Sequence, residues 1–347
     1  MNDGNEILIN SVDNSLKKYG LSSISPIIND KRACEKYINE LLSMFGHFIH
    51  YKKYLPEEYD YRIKHILFSF GLGLVFADFA DLTTKIGEKY KYCQYEIENN
   101  NNDNFLYAWL TVCLYHDFGY YVNREKYSEI SEISEIIKNL RRNIFKSTSV
   151  SRYNFELYQE YYKGRFEVNK NDGSFEIGDH GILGGVFLYD LMNRKKFAEY
   201  CPFCADICFC IMEHNIWKQK KDYPLSSPYH WIDKSNFVKI DSQKEPLLFL
   251  LSLVDTIEPT KKFSKYKDSE SSSNKSIFPK TIAKNIKIDV TNKSIIINGN
   301  ELVNVLKKRD KSLKINDWIE PVKNLSDWVD VKSEVNGYII TIHNNYE

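Results

Sequence analysis

The sequence predicts a mainly α-helical protein with a small β-containing region toward its C-terminal end. Three observations lead there. Apolar residues recur three and four apart in 36–49, 63–80, 105–116, 181–193, 203–217 and 247–258, a spacing that stacks them on one face of a helix. After Phe263 the texture changes to KYKDSESSSNK, poor in apolar residues and rich in Ser and Lys, the composition of a linker or a solvated loop. Beyond it, IKIDVTNKSIIING alternates β-branched and polar residues, and EVNGYIITI carries the Asn-Gly pair favoured at tight hairpins.

The expected organisation is a helical domain over 1–262 with its core in about 40–262, a linker over 263–280, and a β-containing region over 281–347. A chain of 347 residues is long enough to bury a substantial core. The stretch Ile66 to Ala80 is strongly apolar but contains Ser69, Gly71, Gly73 and Asp78, and it falls short of the roughly 20 apolar residues that span a bilayer. It reads as a core helix. Between the helices, ENNNNDN (98–104) has the composition of a solvated loop, and Asp172-Gly173 marks a turn before the fourth helix. Residues 127–162, rich in Tyr, Ser, Glu and Ile, are expected to add one or two peripheral helices.

Charge limits the function classes. Lys plus Arg (47) balances Asp plus Glu (47), so there is no overall positive field to drive general binding to nucleic acid or to anionic membranes. The first residues, MNDGNEILINSVDN, lack the basic start and apolar segment of a secretory signal, and a cytoplasmic protein is expected. Seven cysteines without regular pairing suit a reducing compartment. In CPFCADICFC, Cys201, Cys204 and Cys208 recur at helical spacing, but no second cysteine or histidine pair lies at zinc-finger distance. They read as core cysteines.

Five segments place a histidine or an acid on the same stripe as their apolar residues. His65 precedes Phe68, Ser69 and Leu72; His116 follows Leu106, Trp109 and Cys113; His180 shares a side with Leu183, Gly184 and Phe187. His214 lies with Ile207, Cys210 and Ile211, and Asp255 follows Leu248 and Leu251. Asp117, beside His116, would enter the interior with it. An unpaired carboxylate buried at Asp117 or Asp255 costs several kcal/mol in desolvation, so each needs a cation, a partner or a proton. A single histidine on an apolar face is more often a hydrogen-bonded core residue, and either aspartate alone could cap a helix. Several such positions together point instead to a divalent metal. Imidazole with carboxylate suits Mn, Fe, Co, Ni or Zn, with Mg a further candidate, and a histidine-rich set argues against calcium. His47, His50 and His230 lack a matching context and are assigned to structure or to a pocket rim.

His65 in YRIKHILFSFGLG, His116-Asp117 in LYHDFGY, His180 in DHGILGG, His214 in IMEHN and Asp255 in LSLVDTIEP stand in an order that resembles the HD-domain metal-dependent phosphohydrolases. The resemblance covers about residues 40–262. It implies an all-α HD-domain core and hydrolysis of phosphate esters or anhydrides, most often of nucleotides. It also implies that His65, His116, Asp117 and Asp255 hold a first metal, and that His180 and His214 serve a second with Asp117 bridging. One or two divalent ions are therefore the expected cofactors, with a phosphorylated small molecule, a nucleotide, as the substrate.

Two such ions can lower the pKa of a bound water and orient a phosphoryl group, so no serine or cysteine nucleophile is needed. Asp117 and Glu258 are the candidate catalytic residues, Glu258 as a group that orients a ligand or moves a proton. Arg124, Lys261 and Lys262, each close in sequence to a ligand, are the candidates for substrate phosphate. Tyr120 and Tyr121 are candidates to stack a base. Two alternatives fit the same ligand set: a di-iron oxygenase of the HD type and a non-catalytic nucleotide sensor.

Overall fold

The computed structural model describes residues 6–44, 60–79, 81–90, 101–120, 180–194, 204–215, 240–263, 279–291, 294–309, 322, 325, 328–334 and 337–343. In chain order its elements are β1 (Glu6–Ile7), α1 (Leu8–Lys18), α2 (Lys31–Met44), α3 (Asp60–Phe79), α4 (Leu82–Lys89) and α5 (Asn101–Tyr115). A 3₁₀ turn, Phe118–Tyr120, follows α5. Then come α6 (His180–Arg194), α7 (Cys204–Glu213), α8 (Pro246–Ile257), α9 (Pro259–Phe263), α10 (Pro279–Lys284), β2 (Lys287–Val290), β3 (Ser294–Asn298), α11 (Asn300–Arg309), β4 (Val329–Glu334) and β5 (Gly337–His343). The protein is mainly α-helical with a small antiparallel sheet built largely near the C-terminal end. Among the described residues no single helix is long and apolar enough to cross a membrane.

The chain forms two compact units. One joins Met1–Leu82 with Leu253–Glu347, and the other is Thr83–Ser252. This division differs from the chain-order division into 1–262, 263–280 and 281–347.

In the first unit the sheet order is β1-β2-β3-β5-β4. Ile288 pairs with Ile297, and Ile297 with Ile340, so β-branched side chains meet across neighbouring strands. Burial alternates along β3, with Ile295 and Ile297 inside, as the two-residue repeat of a half-buried strand requires. The expected hairpin near Asn336-Gly337 forms between β4 and β5, with Glu334 opposite Gly337; Val335 and Asn336 lie outside the described residues. The sheet also takes in β1, whose Glu6 pairs with Ile288.

Helix α1 buries Leu8, Ile9, Val12 and Leu16 and carries Lys17 and Lys18 in its last turn, where cations favour the helix dipole. Its Asp13 is buried, and Oδ1 accepts hydrogen bonds from the backbone N–H groups of Ile24 (2.8 Å) and Ser25 (3.1 Å). Helix α3 is buried on all sides from Arg62 to Ala77, with Arg62, Lys64, His65 and Ser69 enclosed among its apolar residues. A Cβ on Gly71 would meet Val12 Cγ1 at 2.5 Å, so glycine lets α1 and α3 approach closely.

In the second unit α5 is buried from Asn104 to Tyr115. Residues 101–104 were expected in a solvated loop, and they instead form the first turn of this helix. The physical reason is that Asn and Asp favour helix starts, and Asp103 complements the positive end of the helix dipole. Helix α6 packs against α7 through glycines. A Cβ on Gly185 would meet the Cys208 carbonyl oxygen at 2.5 Å, and one on Gly181 would meet that of Ile211 at 2.9 Å.

The expected linker is described only at its ends: Phe263 closes α9, and Pro279 and Lys280 open α10. Residues 127–162, Asp172 and Gly173 lie outside the described residues.

Candidate metal centre

The second unit gathers four predicted ligands. His116 stands one residue past α5 and continues its ladder, with N–H bonded to the Val112 carbonyl at 2.9 Å. Its ring Nδ1 lies 2.9 Å from the Cys113 carbonyl oxygen. His214 stands one residue past α7, with Nδ1 2.7 Å from the Ile211 carbonyl oxygen. A helix leaves its last carbonyls without intrahelical donors, and an imidazole N–H just beyond the end supplies one. Because a carbonyl only accepts, Nδ1 carries the proton in both rings. Nε2 then keeps its lone pair, the tautomer that binds metals.

Asp117 is 2% exposed, and Tyr120 donates its N–H to the Asp117 carbonyl to close the 3₁₀ turn. Its carboxylate reaches both ways: Oδ2 lies 3.8 Å from His116 Nε2 and Oδ1 lies 3.2 Å from His180 Nε2. His180 opens α6. One ligand atom each from Asp117, His180 and His214 can be chosen so that all lie within 4.8 Å of one another. An ion with bonds of about 2.1 Å keeps neighbouring donors about 3.0 to 3.4 Å apart. The 3.2 Å between Asp117 Oδ1 and His180 Nε2 falls in that range. These buried groups could hold a metal ion, and the donor set of carboxylate and imidazoles fits a first-row divalent cation.

The rings pack edge to face, His116 on His214 at 5.6 Å and His180 on His214 at 5.1 Å between centroids. The His214 carbonyl accepts a hydrogen bond from Ser252 Oγ at 3.0 Å. Gly181 makes room for the His214 ring, since a Cβ there would lie 2.8 Å from Cε1 and 2.9 Å from Nδ1. The ring of Tyr120, half exposed, stacks on His180 at 4.1 Å.

The first unit holds the other two predicted ligands. His65, on α3, is fully buried, with Nε2 3.5 Å from Asp255 Oδ1. On the other side of the ring, Nδ1 lies 2.8 Å from Glu258 Oε2 and 3.3 Å from Ser69 Oγ. A carboxylate on Nδ1 holds the proton there and directs the Nε2 lone pair toward Asp255, the arrangement that supports a metal-binding histidine. Glu258 is itself fully buried and anchored: Oε1 accepts hydrogen bonds from the Thr260 N–H (2.7 Å) and the Thr260 hydroxyl. Its position follows from Pro259, which disfavours helical backbone in the residue before it and suits the first position of α9.

Other expectations fall elsewhere. Arg124, Tyr121, His47, His50, His230 and Cys201 lie outside the described residues. Lys261 and Lys262 have helical backbone in α9, and their side chains are outside the description, as is that of Cys204. Cys34, Cys113, Cys208 and Cys210 are buried free thiols, as core cysteines should be. Burial pushes the Cys210 thiol far above its ordinary range, against an opposing pull from Lys89. His343 pairs with Asp330 on the sheet, Nε2 to Oδ2 at 2.9 Å.

One polar neighbour was missed. Asn215, 5% exposed, places Nδ2 3.0 Å from His214 Nε2 and 3.4 Å from His180 Nε2. Its only sequence signal is adjacency to His214 in IMEHN. No protein-family model, curated protein or solved structure matches the chain.

Proposed function

We propose that the chain is a metal-dependent phosphohydrolase that cleaves a phosphate ester or anhydride of a nucleotide, with water as the nucleophile. The observation that carries this reading is the grouping of Asp117, His180 and His214, a buried carboxylate and two imidazoles that can each offer a ligand atom within 4.8 Å of the others. A divalent ion held there supplies Lewis acidity and a water acidic enough to ionise near neutral pH.

The chain's own residues have distinct tasks. His116 and His214 keep Nδ1 protonated on backbone carbonyls, so their Nε2 atoms remain donors of electron pairs. Asp117 offers Oδ1 toward His180 and Oδ2 toward His116, so its carboxylate would hold a divalent ion beside these imidazoles. Glu258 holds His65 in the tautomer whose Nε2 faces Asp255. That contact with the imidazole supports the orienting one of the two roles expected for it. Within this reading the HD-domain resemblance assigns an ion to Asp117, His180 and His214. Arg124, Lys261 and Lys262 remain the proposed phosphate contacts. The buried free thiols suit a reducing, cytoplasmic setting.

The test is a hydrolysis screen over nucleoside monophosphates, triphosphates and cyclic nucleotides with Mn-loaded protein and Asp117→Ala as the control. Phosphate or nucleotide release by the wild type, lost in the variant, supports the reading. Oxygen consumption by the Fe-loaded protein, without hydrolysis of any nucleotide, would replace it with the oxygenase alternative.

A further inference from the structure

The Asn215 amide sits where one more ligand would sit. Its Nδ2 is 3.0 Å from His214 Nε2 and 3.4 Å from His180 Nε2. Those values match the separations of about 3.0 Å between neighbouring donors in octahedral geometry and about 3.4 Å in tetrahedral geometry, for bonds of about 2.1 Å. The amide end therefore stands at ligand-to-ligand distance from both imidazole nitrogens that Asp117 accompanies. With the His214 proton on Nδ1, Nε2 can only accept, and an amide NH₂ placed against it donates.

A cation would use the same lone pairs as those amide hydrogens, and an NH₂ group has no electron pair to offer it. The other end of the amide does. A half-turn about Cβ–Cγ exchanges Nδ2 for the nearly isosteric carbonyl Oδ1, an oxygen ligand of the kind divalent ions accept.

We propose that Asn215 is a further ligand of the ion bound by Asp117, His180 and His214, presenting Oδ1 to it. This rests on the metal-centre reading and adds to it a fourth donor and a reversible position for the amide. The ion would then be held by two imidazoles, one carboxylate and one amide oxygen, all from the second unit.

The test uses Co²⁺ alone as the probe, followed by visible absorption and by equilibrium dialysis, on the full chain. Four proteins are compared: wild type, Asn215→Ala, Asn215→Asp and His214→Ala. Asn215→Ala is expected to bind one ion at least about tenfold more weakly, the scale on which groups around a metal tune its affinity, and to alter the Co²⁺ spectrum. Asn215→Asp, which keeps an oxygen at the position, is expected to bind at least as tightly as wild type. Melting with chelator present shows whether each variant folds. A carboxylate cannot donate to the imidazoles, so a merely structural amide predicts that Asn215→Asp weakens binding as much as Asn215→Ala. That result, or unchanged binding in Asn215→Ala, overturns the proposal while loss of an ion in His214→Ala leaves the metal centre standing. Unchanged binding in His214→Ala as well overturns both.

Discussion

His214 Nδ1 lies 2.7 Å from the carbonyl oxygen of Ile211, three residues earlier, at the end of α7. His116 repeats the arrangement at the end of α5, with Nδ1 2.9 Å from the Cys113 carbonyl. Both rings use a helix-end carbonyl to fix their tautomer, so the same bond that finishes the helix prepares Nε2 to bind a cation.

That arrangement depends on Gly181. A methyl group there would press on the His214 ring and on the Ile211 carbonyl. Gly181→Ala is expected to cost about 1 to 3 kcal/mol of stability, the usual penalty for overpacking, and to weaken metal binding by moving the ring. Thermal melting and Co²⁺ titration read the two effects. A variant with wild-type melting and wild-type affinity would show that the contact is easily relieved.

Glu258 makes a different prediction. Glu258→Ala removes the acceptor of His65 Nδ1 and of both Thr260 donors. Leaving buried donors unsatisfied costs about 1 to 3 kcal/mol for each, and loss of such an outer partner typically weakens a metal site by about 10- to 100-fold. Glu258→Gln keeps an acceptor and is expected to recover part of both losses. Melting with chelator separates the stability effect from the affinity effect measured by dialysis. Equal affinity in all three proteins would remove Glu258 from the metal centre.

Asp13 provides a metal-independent control. Asp13→Ala leaves the Ile24 and Ser25 N–H groups without their carboxylate acceptor and is expected to destabilise by about 2 kcal/mol. Asp13→Asn should recover part of that. Denaturant unfolding measures it, with the Co²⁺ affinity of the folded protein expected to stay at the wild-type value.

The buried thiols should be inert in the native state. Burial raises the pKa of Cys210, so at pH 8 it remains protonated and shielded. Iodoacetamide followed by peptide mass spectrometry should find Cys34, Cys113, Cys208 and Cys210 unmodified until denaturant is added. Labelling at native conditions at the rate of a small free thiol would contradict the packing.

Much of the helical fold was legible because its signal is local. The repeat through Ile63, Ile66, Leu67, Phe70 and Leu74 marks α3, and the run from Phe105 to Tyr115 marks α5. Helix starts were harder, since Asn101 to Asn104 look like a loop by composition and only the dipole and capping preferences of Asn and Asp say otherwise. The pairing of Glu6 with Ile288 was illegible because two residues carry no periodicity and their partner lies far along the chain. At the candidate site, imidazoles and acids on apolar stripes were readable as misplaced polarity. Asn215 was not, because an uncharged amide beside a histidine raises no such cost and its meaning comes only from the folded position of His180.

The most direct test of the metal centre is the ion content of wild-type protein and of Asp117→Asn after loading with Co²⁺ and equilibrium dialysis. Asparagine keeps the side-chain shape and removes the charge, so the fold should survive while binding falls. A metal centre at Asp117 predicts bound ion in the wild type and at least about a tenfold loss of affinity in the variant. Wild-type stoichiometry and affinity in Asp117→Asn would contradict it.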